Sequence, residues 1–184
     1  MNQAHTYFSL RTAVYEDWKF LMFARNDKKT RTKYFNSAPV SQAEHIAWFK
    51  KLLADPYRTL LIAEITQGTF SIAIGSIRFE PAEDAQDTFY LSWMIDIDYR
   101  KRGYCSQMLR LARVFVPGVW KALIKDDNTA SIKVAESNGF ERILSVKGHN
   151  DGVALYVKEN FLKLNENKEG TVIHSLQHQS IDRS

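Results

Sequence analysis

The spacing of apolar residues near the start of the chain changes from strand-like to helix-like. Residues 6–11 (TYFSLR) are rich in β-branched and aromatic side chains and predict a strand. From residue 12 to about residue 26 the apolar side chains recur at helical spacing, which predicts a helix. The basic stretch at residues 24–35 has no clean apolar face, so we expect a short helix or a loop beside a cleft.

A second helix is predicted to begin at Ser41. Ser41 and Glu44 have the spacing of a capping box, in which each residue satisfies a backbone N–H of the other. The helix should end before Pro56, because proline disfavours helical backbone at the preceding residue. The predicted apolar stripe of this helix consists of Ile46, Phe49 and Leu53, broadened by Trp48 and Leu52.

Three strands with short connections come next. Residues 59–65 and 70–79 flank a turn that contains Gly68, which predicts a hairpin. After a polar loop, residues 88–97 alternate between an apolar face at the odd positions and a more polar face at the even positions. Because their connections are short, these three strands should be antiparallel.

The rest of the pattern alternates helices with strands. The predicted elements are a helix over 103–115 with Tyr104, Met108, Leu111 and Phe115 as its stripe, a strand over 119–124, a helix over 128–138, and strands over 140–146 and 153–157. The helix after the third meander strand lets the next strand return parallel. We therefore expect an α/β fold of mixed α and β elements. Residues 1–164 form one domain, whose mixed, mostly antiparallel central sheet carries helices on both faces, and residues 165–184 form a polar, flexible tail.

Composition narrows the class of protein. Apolar residues make up 45 % of the 184 residues, enough for a real core, and the net charge of +4 suits an anionic small ligand. A single cysteine, Cys105, excludes a disulfide framework and a multi-cysteine zinc site, so no metal is expected. No secretory leader or membrane-length apolar run is present, which favours a cytoplasmic protein without a membrane partner. The basic run lacks interleaved aromatics, so we expect no nucleic-acid partner either.

The segment most suggestive of chemistry joins the strand at 88–97 to the helix at 103–115. Its turn contains Arg100, Arg102 and Gly103, and it leads into the first turn of a helix, where backbone N–H groups are unpaired. Such a helix start binds phosphate, and a glycine lets the backbone approach closely. On spacing alone, a solvated surface turn is an equal alternative.

Two motifs together resemble one family, the GNAT acyl-CoA N-acetyltransferases. Residues 100–105 (RKRGYC) are similar to the family's Gln/Arg-x-x-Gly-x-Gly/Ala turn, with Cys105 in place of the last small residue. Residues 128–140 (NTASIKVAESNGF) are similar to its second motif, one strand later. The family often has a tyrosine acid directly before the glutamate of that motif, where this chain has Ala135. The predicted order of strands and helices resembles that of the family over about residues 6–160.

The resemblance implies acetyl-CoA as co-substrate and a set of residues that hold it. Backbone N–H groups from Arg102 to Ser106 would cradle the pyrophosphate, and Arg100 and Arg102 would add charge. Strand residues near 94–97 would pair with the pantetheine arm, with a bulge at Met94–Ile95 aiming one N–H at the acetyl carbonyl. The implied cofactor-binding residues are Met94, Ile95, Ile97, Arg100, Arg102, Gly103, Tyr104, Cys105, Ser106, Asn128 and Ser131.

A second resemblance lies in the N-terminal half. Arg25, His45 and neighbouring residues are similar to the branch that acetylates nucleotide-linked amino-sugars, in pathways of the pseudaminic-acid type. By that similarity Arg25, His45 and Tyr90 would face the sugar nucleotide. Each has an alternative interpretation: Arg25 as a charge at its helix end, His45 as an ordinary surface histidine, and Tyr90 as a packing residue.

The resemblance therefore implies an N-acetyltransferase that moves an acetyl group from the CoA thioester directly to a primary amine. An amino-sugar nucleotide is the expected acceptor; alternatives are a protein N-terminus, a polyamine, an antibiotic amine, or a non-catalytic acetyl-CoA-binding role. The partner would be a small-molecule amine, and the enzyme a monomer or a homodimer. The base candidates are His45, Glu44 and Asp87, and Asp96 is a further carboxylate with a structural role as its alternative.

Overall fold

The computed structural model describes residues 6–83, 85–143 and 152–160. In these ranges the chain forms seven β-strands, five α-helices and two short 3-10 turns. The strands are β1 (Thr6–Thr12), β2 (Thr59–Gln67), β3 (Phe70–Pro81), β4 (Thr88–Ile95), β5 (Gly118–Lys125), β6 (Glu141–Ile143) and β7 (Val153–Asn160). The helices are α1 (Trp18–Asn26), α2 (Lys28–Arg31), α3 (Gln42–Ala54), α4 (Tyr104–Ala112) and α5 (Thr129–Ser137), with 3-10 turns at Tyr15–Asp17 and Ile97–Tyr99.

All seven strands belong to one sheet in the order β1-β2-β3-β4-β5-β7-β6. Every neighbouring pair is antiparallel except β4 and β5, which are parallel. The parallel pair follows from the helical crossover through α4, which returns the chain to the edge of the sheet in the same direction. The predicted fold class, a mixed and mostly antiparallel sheet, is confirmed.

The two faces of β4 lead to two separate cores. Leu91 and Ile95 join the larger core, which contains Met108 and Leu109 of α4. Met94 points to the opposite face, into the core formed with α1 and α3. The alternation therefore predicted correctly which side chains lie on the same face from residue 88 to residue 95, and helices cover both faces of the sheet.

The sheet opens between β4 and β5. The two strands pair only from Thr88 opposite Val119 to Tyr90 opposite Lys121. Beyond that point β4 continues to Ile95 with no strand of the described residues on this edge, while β5 goes on pairing with β7 as far as Lys125. A backbone edge with free N–H and C=O groups is thus exposed inside the gap between the strands.

The segment around α2 bridges the two strand ends at the mouth of this gap. The Arg100 guanidinium, just beyond β4, donates from Nη2 to Thr30 Oγ1 at 2.5 Å. The Lys125 ammonium, at the end of β5, donates to the Tyr34 carbonyl at 2.7 Å. Lys33 adds an ion pair of 3.2 Å with Asp127. The basic stretch is therefore a short helix and loop beside a cleft, as predicted.

α3 begins at the predicted capping box, with the Ser41 N–H donating to Glu44 Oε2 at 2.8 Å. Its buried face differs from the prediction. The buried residues are His45, Phe49 and Leu52, whereas Leu53 is 38 % exposed. Apolar residues cover a wide arc of the α3 surface. Packing against α1 buries the part of this arc that includes His45.

The predicted stripe of α4 is also wrong in part. Met108 is fully buried, as expected, but its buried companions are Leu109 and Ala112. Leu111 and Phe115 are 38 % and 47 % exposed. The helix ends at Ala112, so residue 115 lies beyond it and does not continue the helical face.

The end of β4 also departs from expectation. The strand stops at Ile95, and Ile97 lies in the 3-10 turn that Asp96 caps through its side chain. The pairing with β3 runs from Phe89 to Ile95 without a register shift, so the expected bulge at Met94–Ile95 is absent from this ladder. The register shift in this part of the sheet is instead between β2 and β3.

Predictions beyond residue 143 are only partly covered. β7 confirms the strand expected over 153–157, and β6 covers the first residues of the strand expected over 140–146. The domain limit at residue 164 and the tail over 165–184 lie outside the described residues. Among the described helices, none has the length and apolarity to cross a membrane.

Candidate active site

The predicted phosphate turn forms the N-terminus of α4. Gly103 caps the helix with φ of 80°, in the left-handed region that glycine adopts most easily, and Lys101 has φ of 61°. No side chain of the described residues caps this helix start. The first N–H groups of α4, those of Tyr104, Cys105 and Ser106, have no carbonyl one turn earlier to bond. The result is a cluster of free backbone donors at the positive end of a helix dipole, which fits a pyrophosphate.

The two arginines of the turn have different surroundings. Arg100 is turned toward the protein, because its Nε donates to the Ile95 carbonyl at 2.8 Å and its Nη2 to Thr30. Arg102 is exposed, with its guanidinium 5.6 Å from the centre of the Tyr99 ring. Arg102 is therefore the freer charge near the helix start, and Arg100 ties the turn to the α2 segment.

The remaining implied cofactor residues lie around the same gap, and several of them also make hydrogen bonds within the fold. Asn128 caps α5 by accepting a hydrogen bond from the Ser131 N–H at 3.4 Å. Ser106 Oγ accepts from Asn138 Nδ2 at 3.0 Å, which joins α4 to the end of α5. Burial raises the pKa of the Cys105 thiol to about 12, so this cysteine is a neutral thiol at physiological pH.

On the opposite face of the sheet, two arginines lie among aromatic rings. The Arg25 guanidinium, on α1, is 4.5 Å from the centre of the Tyr34 ring. The Arg78 guanidinium, on β3, is 5.7 Å from the centre of the Trp48 ring. Burial raises the pKa of the Tyr34 hydroxyl, while the charges of Arg25 and Arg78 lower it, so both cations are within electrostatic range of Tyr34. His45 completes this group with its ring centre 5.3 Å from that of Trp48.

We call these five residues, Arg25, Tyr34, His45, Trp48 and Arg78, the basic–aromatic cluster. Three buried side-chain nitrogens in the described part of the chain have no hydrogen-bond partner: Arg25 Nη1, His45 Nε2 and Arg78 Nε. All three belong to the cluster. Since buried polar atoms are nearly always paired, three of them in one cluster make it a candidate binding site.

Tyr90 lies next to this cluster on the same face of the sheet. It is opposite Glu80 on β3, two residue pairs along from Ser92 opposite Arg78. Residues directly opposite one another across two antiparallel strands share a face, so Tyr90 and Arg78 point to the same side. The Lys121 ammonium stands 5.7 Å from the centre of the Tyr90 ring. Tyr90 thus lies at the last paired position before the gap opens.

Of these residues, the sequence had suggested Arg25, His45 and Tyr90 and had missed Tyr34, Trp48 and Arg78. Arg78 had a visible signal, because a lone arginine lies between Ile77 and Phe79 in an apolar strand. Tyr34 had none, since it belongs to a loop whose position is set by long-range bonds to Lys125 and Arg100.

The carboxylates that are candidates for the base either cap a helix or lie far from the cofactor turn. Glu44 is committed to the helix cap, where hydrogen bonds from the Ser41 hydroxyl and backbone lower its pKa. Asp87 precedes β4 and lies at the end of the strand opposite the cofactor turn, roughly 26 Å of extended chain from Ile95 at about 3.3 Å per residue. Asp96 caps the 3-10 turn that follows β4. These positions do not favour Glu44 or Asp87 as the base.

His45 is the remaining candidate. It is 5 % exposed and packs against Trp48 and Phe49, so its interpretation as a surface histidine is wrong. Burial lowers its pKa, the nearby Arg25 charge lowers it further, and a hydrogen bond to the Trp18 backbone acts in the other direction. The imidazole is therefore neutral at pH 7 and able to accept a proton. In the described ranges, no group of three or more His, Cys, Asp or Glu side chains is arranged to hold a metal ion.

Comparisons with known proteins point to one family. Residues 8–141 match the protein-family model described as an acetyltransferase (GNAT) domain. No curated protein matches the sequence. Among solved structures, an N-acetyltransferase from Staphylococcus aureus Mu50 is similar, with 23 % identity and a TM-score of 0.66 over 83 % of this chain and 98 % of its own.

Two other similar structures were solved with coenzyme A or its acetyl ester. Spermidine N-acetyltransferase from Vibrio cholerae, in complex with CoA and spermine, has 14 % identity and a TM-score of 0.68 over 83 % of this chain and 95 % of its own. A GNAT superfamily phosphinothricin acetyltransferase from Sinorhizobium meliloti, in complex with acetyl-CoA, has 16 % identity and a TM-score of 0.66 over 84 % and 89 %. At such identities these structures support the fold alone.

Proposed function

The chain belongs to the GNAT acetyltransferase family and is therefore an acetyl-CoA-dependent N-acetyltransferase, and from this premise we propose that its acceptor is the primary amine of a nucleotide-linked amino-sugar. The observation that carries the choice of acceptor is the presence of two buried arginine nitrogens, Arg25 Nη1 and Arg78 Nε, with no partner among the described residues. The free α4 N-terminus, capped by Gly103, lies beside the gap between β4 and β5 and supports the binding of the thioester. An extended thioester ligand anchored there has a route to the opposite face of the sheet.

We propose that the backbone does most of the cofactor binding. The first N–H groups of α4 hold the pyrophosphate, and Arg102 adds an exposed positive charge. The unpaired edge of β4 between Leu91 and Ile95 bonds the amides of the pantetheine arm as an added strand does. The Ile95 carbonyl is already bonded to Arg100, so the groups nearer the strand centre are the ones available.

In the reaction, the amine nitrogen attacks the thioester carbonyl carbon and the carbon–sulfur bond breaks. His45 accepts the proton that the amine loses, since its imidazole is neutral and its Nε2 has no hydrogen-bond partner among the described residues. The thiolate leaves unaided and takes its proton from water, because Ala135 replaces the family tyrosine and a thiol pKa of about 8.5 makes the thiolate an adequate leaving group. Alignment of the two bound substrates supplies much of the rate.

The charge of the acceptor side favours an anionic amine. Arg25 and Arg78 belong to different elements, and both have a nitrogen without a partner in the described part of the chain. Both charges act on the Tyr34 hydroxyl, and two cations around one group repel a polyamine and attract a phosphate. Tyr90 offers an apolar wall with a polar tip that suits a sugar ring.

A panel of amines tests the proposal, with free thiol release as the readout. The panel contains a sugar nucleotide with a free amino group, its N-acetylated form, a polyamine and a peptide with a free N-terminus. We expect thiol release with the amino-sugar nucleotide and none with its N-acetylated form. Turnover with the polyamine or the peptide alone contradicts the choice of acceptor and leaves the acetyltransferase activity in place.

A further inference from the structure

We infer that the basic–aromatic cluster is an anion-binding subsite of the acceptor pocket, in which Arg25 and Arg78 together hold one phosphate or carboxylate group of the acceptor. The identity of the bound molecule as an acceptor rests on the proposed function, whereas the subsite itself rests on the arrangement of the two arginines.

Each of the two guanidinium groups has one nitrogen bonded to a described residue and one buried nitrogen that is not. Arg25 Nη2 donates to the Asn36 carbonyl at 2.5 Å, and its Nη1 is buried with no partner among them. Arg78 Nη2 is 3.1 Å from Glu80 Oε2, and its Nε is likewise buried with no partner. A buried charged donor without a partner has lost its hydrogen bonds to water and has formed none in the protein. Such atoms are rare unless a ligand accepts a hydrogen bond from them.

The carboxylates around the cluster do not balance its positive charges. Among the described residues Arg25 has no carboxylate partner, and Glu80 is shared between Arg78 and Arg58, which lies 3.1 Å from its other oxygen. His45 adds no charge when neutral. The cluster therefore carries more positive charge than its carboxylates balance. The charges of Arg25 and Arg78 both act on the Tyr34 hydroxyl, so an oxyanion with several lone pairs bound beside that group would be attracted by both arginines.

An anion reaches Arg25 past Tyr34. The half-buried Tyr34 ring lies over the Arg25 guanidinium, and the residues around it, 32–39, are otherwise exposed and are held by Lys125 and Arg25 through backbone carbonyls. We expect the Tyr34 ring to move aside when the anion enters, while the Trp48 ring continues to support Arg78. The Tyr34 ring is thus the side chain that an incoming anion has to displace from Arg25.

The test is a phosphate titration of the protein saturated with coenzyme A, so that the α4 N-terminus is already filled. Melting temperature is measured against inorganic phosphate up to about 50 mM, at constant ionic strength with chloride as the balancing anion. We expect phosphate to stabilise the wild type. In Arg25→Met and Arg78→Met we expect the apparent phosphate Kd to rise by about tenfold or more, since each loses a charge-assisted pair.

Arg142→Met is the matched control. Arg142 is an arginine in a surface ion pair with Asp126, and its loss should leave the phosphate effect unchanged. Arg78→Lys keeps the positive charge but loses the parallel N–H donors of the guanidinium group. It should therefore give a phosphate Kd between those of the wild type and Arg78→Met, and it provides a test even if Arg78→Met folds poorly. A parallel titration with acetate distinguishes a carboxylate subsite from a phosphate subsite.

Two results overturn the inference: no stabilisation of the wild type by phosphate or acetate beyond chloride, or equal stabilisation of wild type and Arg78→Met. The amine panel is run on the same samples. Acetyl transfer without any phosphate effect counts against the subsite alone. Phosphate binding without transfer to any amine counts against the proposed acceptor chemistry and not against the subsite.

Discussion

The role of Gly103 can be separated from its conformational strain, because the fold contains a second glycine with the same geometry. Gly103 has φ of 80° at the start of α4, and Gly139 has φ of 81° just after α5. An added Cβ would meet no atom of the described residues within 4 Å at either position. Gly103→Val and Gly139→Val should therefore suffer the same backbone penalty, about 1–2 kcal/mol for a left-handed L-residue. For a chain of this size that corresponds to a fall of about 2–8 °C in melting temperature.

Only the first substitution should affect the cofactor. A branched side chain at Gly103 fills the open space beside the free N–H groups of α4, so the pyrophosphate loses one or two charge-assisted hydrogen bonds. At about 1.5–3 kcal/mol each, that raises the Kd for acetyl-CoA by at least about tenfold. The assay is isothermal titration of both variants with acetyl-CoA, after their melting temperatures have been compared. Equal Kd values for Gly103→Val and Gly139→Val would show that the helix start does not bind the cofactor.

Three further outcomes are expected. Arg100→Met should raise both the acetyl-CoA Kd and the acceptor KM several-fold, because Arg100 joins the cofactor turn to Thr30. Arg102→Met should raise the acetyl-CoA Kd alone. If the two variants change both constants equally in steady-state kinetics, Arg100 does not connect the cofactor turn to the acceptor side. Burial lowers the pKa of His45, so below about pH 6.5 this residue binds fewer protons in the folded protein than in the unfolded chain. The free energy of unfolding must therefore decrease as the pH falls through this range. Urea unfolding should show a smaller decrease in His45→Gln. Since burial raises the pKa of Cys105 to about 12, the thiol should react with iodoacetamide far more slowly than free cysteine at pH 8, and a fast reaction would contradict the burial.

The elements with strong local signals were predictable from the sequence. The capping box of Ser41 and Glu44 positioned the start of α3, and the turn containing Gly68 positioned the β2–β3 hairpin. The alternation in β4 correctly separated Met94 from Ile95. Gly103 was predictable as well, since a strand followed by a glycine turn and a helix defines its own geometry.

The features decided by long-range contacts were not predictable. α3 has apolar residues around much of its circumference, so its sequence cannot specify whether His45 or Leu53 faces α1; packing decides this. Arg100 bonds Thr30, which is 70 positions away in the chain, and no local pattern indicates that contact. The unpaired nitrogen of Arg78 depends on what surrounds β3, and no local pattern records that.

The most direct test of the central claim is mass spectrometry of the acceptor after incubation with acetyl-CoA. An amino-sugar nucleotide should gain the mass of one acetyl group on its amine, with one equivalent of free thiol released. The same reaction with Gly103→Val should be strongly reduced at subsaturating acetyl-CoA, and that with Gly139→Val should not. An unmodified acceptor in the presence of a protein that demonstrably binds acetyl-CoA would contradict the account of the acceptor site.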